Sequence, residues 1–484
     1  MQNRWAMAWQ SWRDTMSRIN TNVSSLIAQR VLGKNNNSLN TSLERLSTGL
    51  KINSGADNPA GLIASENLRA EKAGISQAID NAGRASNIIG TAEGGLSEVS
   101  NLLTELQSLI SQTANSGGLS TEEKQANQLQ VDSILSTINR VAQSTSFQGT
   151  KLLNGGFDYT ASGVTSTSID NVHINSAKIP DGAAVNVVVQ VVTSAQTGVL
   201  SNAGTATSDA VTLEIAGNAG TTQLSFASSS TATQIAAAVV ANKASTGVSA
   251  VVSGGALFFN STEFGSAQFV SVKALAGTFS VTGGTSGKAS GRDAAVKVNG
   301  ADASANGKSV TYRSGGLDLE FDIDNTFNAA GSTTFAVTGG GADFALGVKV
   351  NEADKTSIGI GSVSTGSLGD NAKGFLSSLA SGGTNSLTST NLVTSQSIVD
   401  KAIKQVSQLR GRLGAFQKFT IGSTINSLGV AYENASAAES AIRDTDFAEE
   451  TANLTRNQIL SQAASTVLSQ ANASPQAALA LLRG

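Results

Sequence analysis

The residues able to do acid–base or metal chemistry in this chain are few. His173 is the one histidine among 484 residues, and cysteine is absent. A zinc site of the H-E-x-x-H type needs two imidazoles, and a Ser-His-Asp site needs one beside a nucleophile and a carboxylate. Lack of cysteine removes thiolate metal sites, disulfides and a cysteine nucleophile. His173, within NVHINS, therefore reads as a strand or turn residue. The remaining cluster with chemical character is Asp318, Glu320, Asp322 and Asp324, alternating along LDLEFDID. Alternation puts all four carboxylates on one strand face. Such a row can attract calcium, but it reads first as a solvated face. The glycine run in VTGGGADF lacks the Lys-Ser/Thr of a phosphate loop and reads as a turn. No enzyme and no cofactor is expected.

The elements carrying these residues fall into three blocks. Charged residues make up 14% of the chain and the net charge is -3, so no basic field exists to hold nucleic acid or an anionic membrane. In the first block, Leu32, Leu39, Leu43, Leu46 and Leu50 step by seven, four, three and four. That is the stripe of a coiled-coil seam, which one helix cannot bury alone. NSGADNPAG follows as a turn, with Asn53, Gly55, Asp57, Asn58 and Pro59 as its breakers. Narrow seams continue through Val99, Leu103, Leu106 and Ile110, and again through Val131, Ile134, Ile138 and Val141. Between them Ser120 with Glu123 forms a capping box that starts a helix. The pattern closes at QGTKLLNGG.

Residues 156–390 differ in composition. Only Asp209, Glu214, Lys243, Glu263, Lys273 and Lys288 are charged between Ala183 and Ser290. VNVVVQVV is a nearly continuous β-branched run, and 211–226 and 309–324 each alternate, turn at glycine and alternate again, which predicts hairpins. TATQIAAAVVANKAST interrupts them as a helix. From about residue 390 helical spacing returns at Ala402, Val406, Leu409, Leu413 and Phe416. Asp446 caps a last long run, and Ser474-Pro475 predicts the restart of a short final helix. The fold class is therefore long helices at both termini in a coiled-coil-like bundle with a β-rich central insertion, an α+β multidomain chain.

The first residues stand apart. Trp5, Trp9 and Trp12 are all the tryptophans of the chain, and MSRINTN begins at Met16. Residues 1–16 are too polar for a signal-peptide core and too short to span a bilayer. They read as an extension upstream of a chain proper that starts at Met16.

INTNVSSLIAQR, LERLSTGLKINSGADNPAGLIASENLRA, NRVAQSTSFQGTKLLNG, AIRDTDFAEETANLTRNQILSQAASTVLSQAN and ALALLRG carry a resemblance to bacterial flagellin. It covers both terminal blocks, roughly half the chain, in the family's order. The stretch 211–272 resembles a small β repeat of some flagellins and hook proteins. The resemblance implies a filament subunit with inner-tube helices at 17–58 and 433–484. It implies a helical shell from 59–155 and 391–432, and an outer domain from 156–390. The candidate self-assembly seam is Ile19, Val23, Leu26, Leu32, Leu39, Leu43, Leu46, Leu50, Val406, Leu409, Leu413, Phe447, Leu454, Leu460, Val467 and Leu468, and the NSGADNPAG turn becomes an elbow between tube and shell. The implied partners are further copies of the chain, a type III flagellar export apparatus with its chaperone, the filament cap and hook–filament junction proteins. The implied place is the extracellular flagellum. A hook–filament junction protein and an adhesin-like surface filament are the alternatives. In flagellins sensed by an innate immune receptor an Arg-x-x-x-Leu pair faces a Glu on the next helix. The matching residues here are Glu105, Leu109 and Gln130, and the reversed charge predicts weak receptor activation.

Overall fold

The structure, a computed structural model, describes residues 21–115, 118–180, 183–204, 206–389 and 392–483. Ile19 and the tryptophan-bearing extension lie outside them. The chain divides into two compact units, one of residues 1–79 with 426–484 and one of residues 80–425.

The first unit is helical. Helix α1 (Val23–Thr48) starts at Asn22, whose side chain accepts the Ser25 N–H, and stops at Gly49 in the left-handed region, φ 74°. Only a residue without Cβ adopts that conformation cheaply, so Gly49 fixes the end of the helix. Helix α2 (Pro59–Ala114) gives residues 59–79 to this unit and 80–114 to the other. Between them Asp57 Oδ2 accepts the backbone N–H groups of Asn53 at 3.1 Å and Ser54 at 2.7 Å. Asn58 Oδ1 accepts the Gly61 N–H at 2.9 Å, which makes Asn58 the cap and Pro59 the first helical residue. Near the other terminus, after helix α3 (Thr121–Ser144), α4 (Ala232–Ala241) and α5 (Leu392–Ala415), a π-helix (Phe416–Ile421) leads into α6 (Gly422–Arg443) and α7 (Phe447–Arg483). Leu50 bridges Asp444, and Lys51 N–H donates to the Arg443 carbonyl at 2.7 Å, so the two bends are tied together.

Helix α7 corrects the expected restart at Pro475: it is one helix through Arg483. A proline cannot donate to the carbonyl four residues back, which here is Ala471. Asn22 Nδ2 donates to that carbonyl at 2.7 Å and takes the missing partner's place.

In the second unit, α2, α3 and α5 share one core that includes Leu96, Leu103, Leu106, Ile138, Val399, Val406 and Leu413. The Ser120–Glu123 capping box is formed at the start of α3. The central block is antiparallel. One eight-stranded sheet runs β3-β17-β5-β13-β14-β15-β16-β4, where β3 is Tyr159–Ser162, β4 Ile169–Ala177, β5 Val185–Thr193, β13 Ala295–Val298, β14 Ala301–Asn306, β15 Ser309–Ser314, β16 Leu317–Ile323 and β17 Gly331–Gly340. Its first and last strands meet, since the Tyr159 hydroxyl on β3 donates to the Ala177 carbonyl on β4 at 3.3 Å. The hairpin over 309–324 pairs Ser314 with Leu317 across Gly315 and Gly316 as expected.

Strand β5 buries one face only. Val187, Val189 and Val191 enter the core while Val188 and Val192 are exposed. A second core holds Leu213, Ile215, Ile235, Val239, Phe259 and Val270. It also takes Leu200 on β6 (Val199–Asn202) and Ala289 on β12 (Lys288–Ser290), so this small domain extends on both sides of 211–272.

Candidate assembly surface

Helices α1 and α7 pair through small and polar residues. Among the described side chains of the two helices, Ser25, Ala28, Ser42 and Ala464 are the buried positions apart from Glu450. Ser25 Oγ donates to Asn472 Oδ1 at 2.7 Å, Asn35 Nδ2 to the Leu460 carbonyl at 3.1 Å, Ser461 Oγ to Asn36 Oδ1 at 2.7 Å, and Asn457 Nδ2 to Ser42 Oγ at 3.2 Å. Arg45 lies 3.6 Å from the largely buried Glu450 at the end of the pair. Small side chains permit a close approach of the backbones, and the hydrogen bonds satisfy the Ser and Asn groups that this approach covers.

The apolar stripe is therefore only partly covered within the molecule. Leu26 is 57% exposed, Leu43 48%, Phe447 58% and Val467 58%, with Val23 and Leu460 nearly half exposed. Leu32, Leu39, Leu46, Leu50, Leu454 and Leu468 are half-buried. Ile27, Val31 and Ile459 join the exposed set and were not singled out by their spacing. These apolar side chains are left open to solvent on one helix pair, where a partner could cover them.

Val406, Leu409 and Leu413 are a correction. They lie inside the core shared with α2 and α3, with Leu413 fully buried, so no neighbouring molecule can reach them. The receptor-like surface is corrected at one position. Glu105 and Gln130 are exposed, but Leu109 points into the same core and is 8% exposed. The elbow residues Asn53, Gly55, Asp57, Asn58 and Pro59 form the loop between α1 and α2. Asp57 sits below the usual carboxylate range because the Ser54 and Asn53 groups donate to it.

The other residues with chemical character gather in an open cleft of the second unit. His173 on β4, Asp318, Glu320 and Asp322 on β16, Asp158, and Lys401 and Arg412 on α5 line a cavity of about 460 Å³. Asp324, beyond the strand end, accepts the Thr326 N–H and hydroxyl instead. The protein around His173 pulls its pKa below the ordinary imidazole value, Asp158 and Glu320 oppose that pull, and Arg412 and Lys401 add to it. The ring is open to water in the cleft, which screens these charges. Burial pushes Asp158 up, against the Tyr159 N–H, His173 and Arg412. No cluster of three or more His, Cys, Asp or Glu side chains is arranged to hold a metal among the described residues.

The bacterial flagellin N-terminal helical region matches residues 19–158, and the bacterial flagellin C-terminal helical region matches residues 396–482. Flagellin D of Vibrio anguillarum is 31% identical over 481 residues, covering 96% of this chain and 99% of its own. B-type flagellin of Pseudomonas aeruginosa is 33% identical over 519 residues, again covering 96% of this chain and 99% of its own. Among solved structures, flagellar hook associated protein-3 from Legionella pneumophila covers 82% of this chain and 99% of its own at 12% identity. Its TM-score of 0.26 is too low to bear on the fold. With both helical regions matched in order and relatives aligned over nearly their whole length, the chain belongs to the bacterial flagellin family, whose members are structural proteins and not enzymes.

Proposed function

We propose that this chain is a structural subunit of the extracellular flagellar filament and that its copies polymerise through α1 and α7. The observation that carries the reading is the division of labour on that helix pair. Its own contact buries Ser and Ala, is aligned by Ser and Asn hydrogen bonds and half-buries Leu32, Leu39, Leu46, Leu454 and Leu468, while Leu26, Leu43, Phe447 and Val467 stay exposed for neighbours. Residues 17–58 and 433–484 then form the inner tube, and the NSGADNPAG loop is the elbow to the shell formed by 59–155 and 391–432. Residues 156–390 face outward.

The family resemblance supports export of the unfolded chain through a type III apparatus with a chaperone, growth beneath a filament cap, and a base on hook–filament junction proteins. It also supports weak activation of the innate receptor. Glu105 reverses a charge, and burial of Leu109 removes the apolar member of the pair from the surface.

Deletion of the residues before Leu50 tests the assembly reading. The expected product is a soluble, folded monomer that forms no filaments by negative-stain microscopy. Normal tubes from the truncated chain would overturn the role of α1.

A further inference from the structure

The cleft of the second unit holds opposite charges that, among the described residues, no direct ion pair joins: Arg412 and Lys401 on one side, Asp158 and Glu320 on the other. Asp318 is engaged by Asn175 Nδ2 at 2.9 Å and Arg313 Nε at 3.5 Å, and Asp322 by Asn171 Nδ2 at 2.9 Å. Glu320 and Lys401 are left without a hydrogen bond or ion pair among the described residues. Asp158 accepts only the Tyr159 N–H. The guanidinium of Arg412 reaches no more than the Gly359 carbonyl, at 3.5 Å, and its Nε is buried with no partner. A guanidinium carries five N–H donors and this one makes a single long contact, so the terminal amino groups of Arg412 in the cavity lining are left to an anionic oxygen.

The two signs come from different elements. Carboxylates stand on β16 and at Asp158, while both free cations stand on α5, with about 460 Å³ of open space in the cleft they line. Two cations against two carboxylates make the unsatisfied set neutral but dipolar. A single anion or cation would satisfy one side and leave the other exposed, whereas a molecule carrying both charges satisfies both.

From this we infer that the cleft is a binding site for a small zwitterion of about dipeptide size, its carboxylate on Arg412 and Lys401 and its ammonium on Glu320 and Asp158. Bidentate pairing of the carboxylate with the guanidinium supplies orientation, and the ammonium end supplies selectivity against simple anions.

His173 lines the same cleft and is the chain's one histidine, so its Hε1 proton is a unique reporter. Titration of the monomeric full-length chain with glycylglycine, followed by proton NMR at constant pH, is expected to shift that resonance saturably. N-acetyl-glycylglycine amide, which has neither charge, is expected to leave it in place, as are acetate and methylamine at equal concentration. Glu320→Gln and Arg412→Gln are each expected to weaken the saturation midpoint by about tenfold, the scale of one lost charge-assisted hydrogen bond. A shift that rises linearly without saturation, no shift, or an equal response to the uncharged analogue overturns the site. Equal saturable binding of acetate alone overturns the zwitterion and leaves an anion site. The ligand comparison uses the unchanged chain, so the result stands even if a variant fails to fold.

Discussion

Replacing Leu26, Leu43, Ile459 and Val467 together by alanine tests whether the exposed stripe drives association. These side chains are 57%, 48%, 63% and 58% exposed in the isolated chain. Complete burial of a Leu, Ile or Val side chain stabilises by about 1.5–3 kcal/mol, so covering the exposed half contributes about 1 kcal/mol for each. Alanine keeps the helix propensity high and removes most of that apolar area. Four such losses sum to about 4 kcal/mol per subunit, and at 1.4 kcal/mol per decade the critical concentration rises by about 10³. The monomer is expected to be indifferent, because exposed substitutions change stability by about 0.5 kcal/mol or less. Light scattering against protein concentration gives the critical concentration, and thermal unfolding of the dilute monomer gives the control. An unchanged critical concentration refutes the stripe as the assembly surface. A large fall in the monomer's unfolding temperature refutes the premise that these residues are unpartnered within the chain.

Three further outcomes follow from other parts of the molecule. Leu103→Ala, at a fully buried position in the helical core, is expected to cost about 3–5 kcal/mol in urea unfolding followed by circular dichroism. His173 is expected to titrate below the ordinary imidazole value by NMR. Its folded pKa is depressed, so its contribution to stability is present above the unfolded value of about 6.5 and is lost as pH falls through the folded value. The unfolding midpoint of His173→Gln is then expected to fall less than that of the parent as the medium is acidified across that window. Asp57→Ala removes the acceptor for the Asn53 and Ser54 N–H groups, and trypsin is expected to cut after the exposed Lys51 faster than in the parent chain.

Much of the fold was legible in the chain. The Ser120–Glu123 box, the Asp446 cap and both glycine-centred hairpins rest on local rules, and each occurs where its residues predict. What stayed hidden depends on which partner an element meets. Periodic leucines on α1 and periodic Val406, Leu409 and Leu413 on α5 look alike in sequence, yet the first are half-buried or, at Leu43, exposed, and the second are core. The true pairing face of α1 was invisible because Ser25 and Ser42 score as polar surface, and only their cross-helix hydrogen bonds explain their burial. The small domain's outer strands needed pairing partners far along the chain. The charged cleft likewise joins His173, Glu320 and Arg412, which no local pattern brings together.

The Ser/Asn contact between α1 and α7 has one further consequence. Apolar packing is non-directional and tolerates a slide by a helical turn, whereas a hydrogen bond does not. Asn22 with Ala471, Ser25 with Asn472, Asn36 with Ser461, Ser42 with Asn457 and Arg45 with Glu450 all break together if either helix shifts along the other. The Ala471 carbonyl, deprived of a donor by Pro475, would then be left with none. Two ends separated by 449 residues thus carry a single permitted alignment, written in polar pairs. In the proposed filament, alignment within a molecule rests on these polar pairs and attraction between molecules on the exposed apolar side chains, so a substitution can change either without disturbing the other.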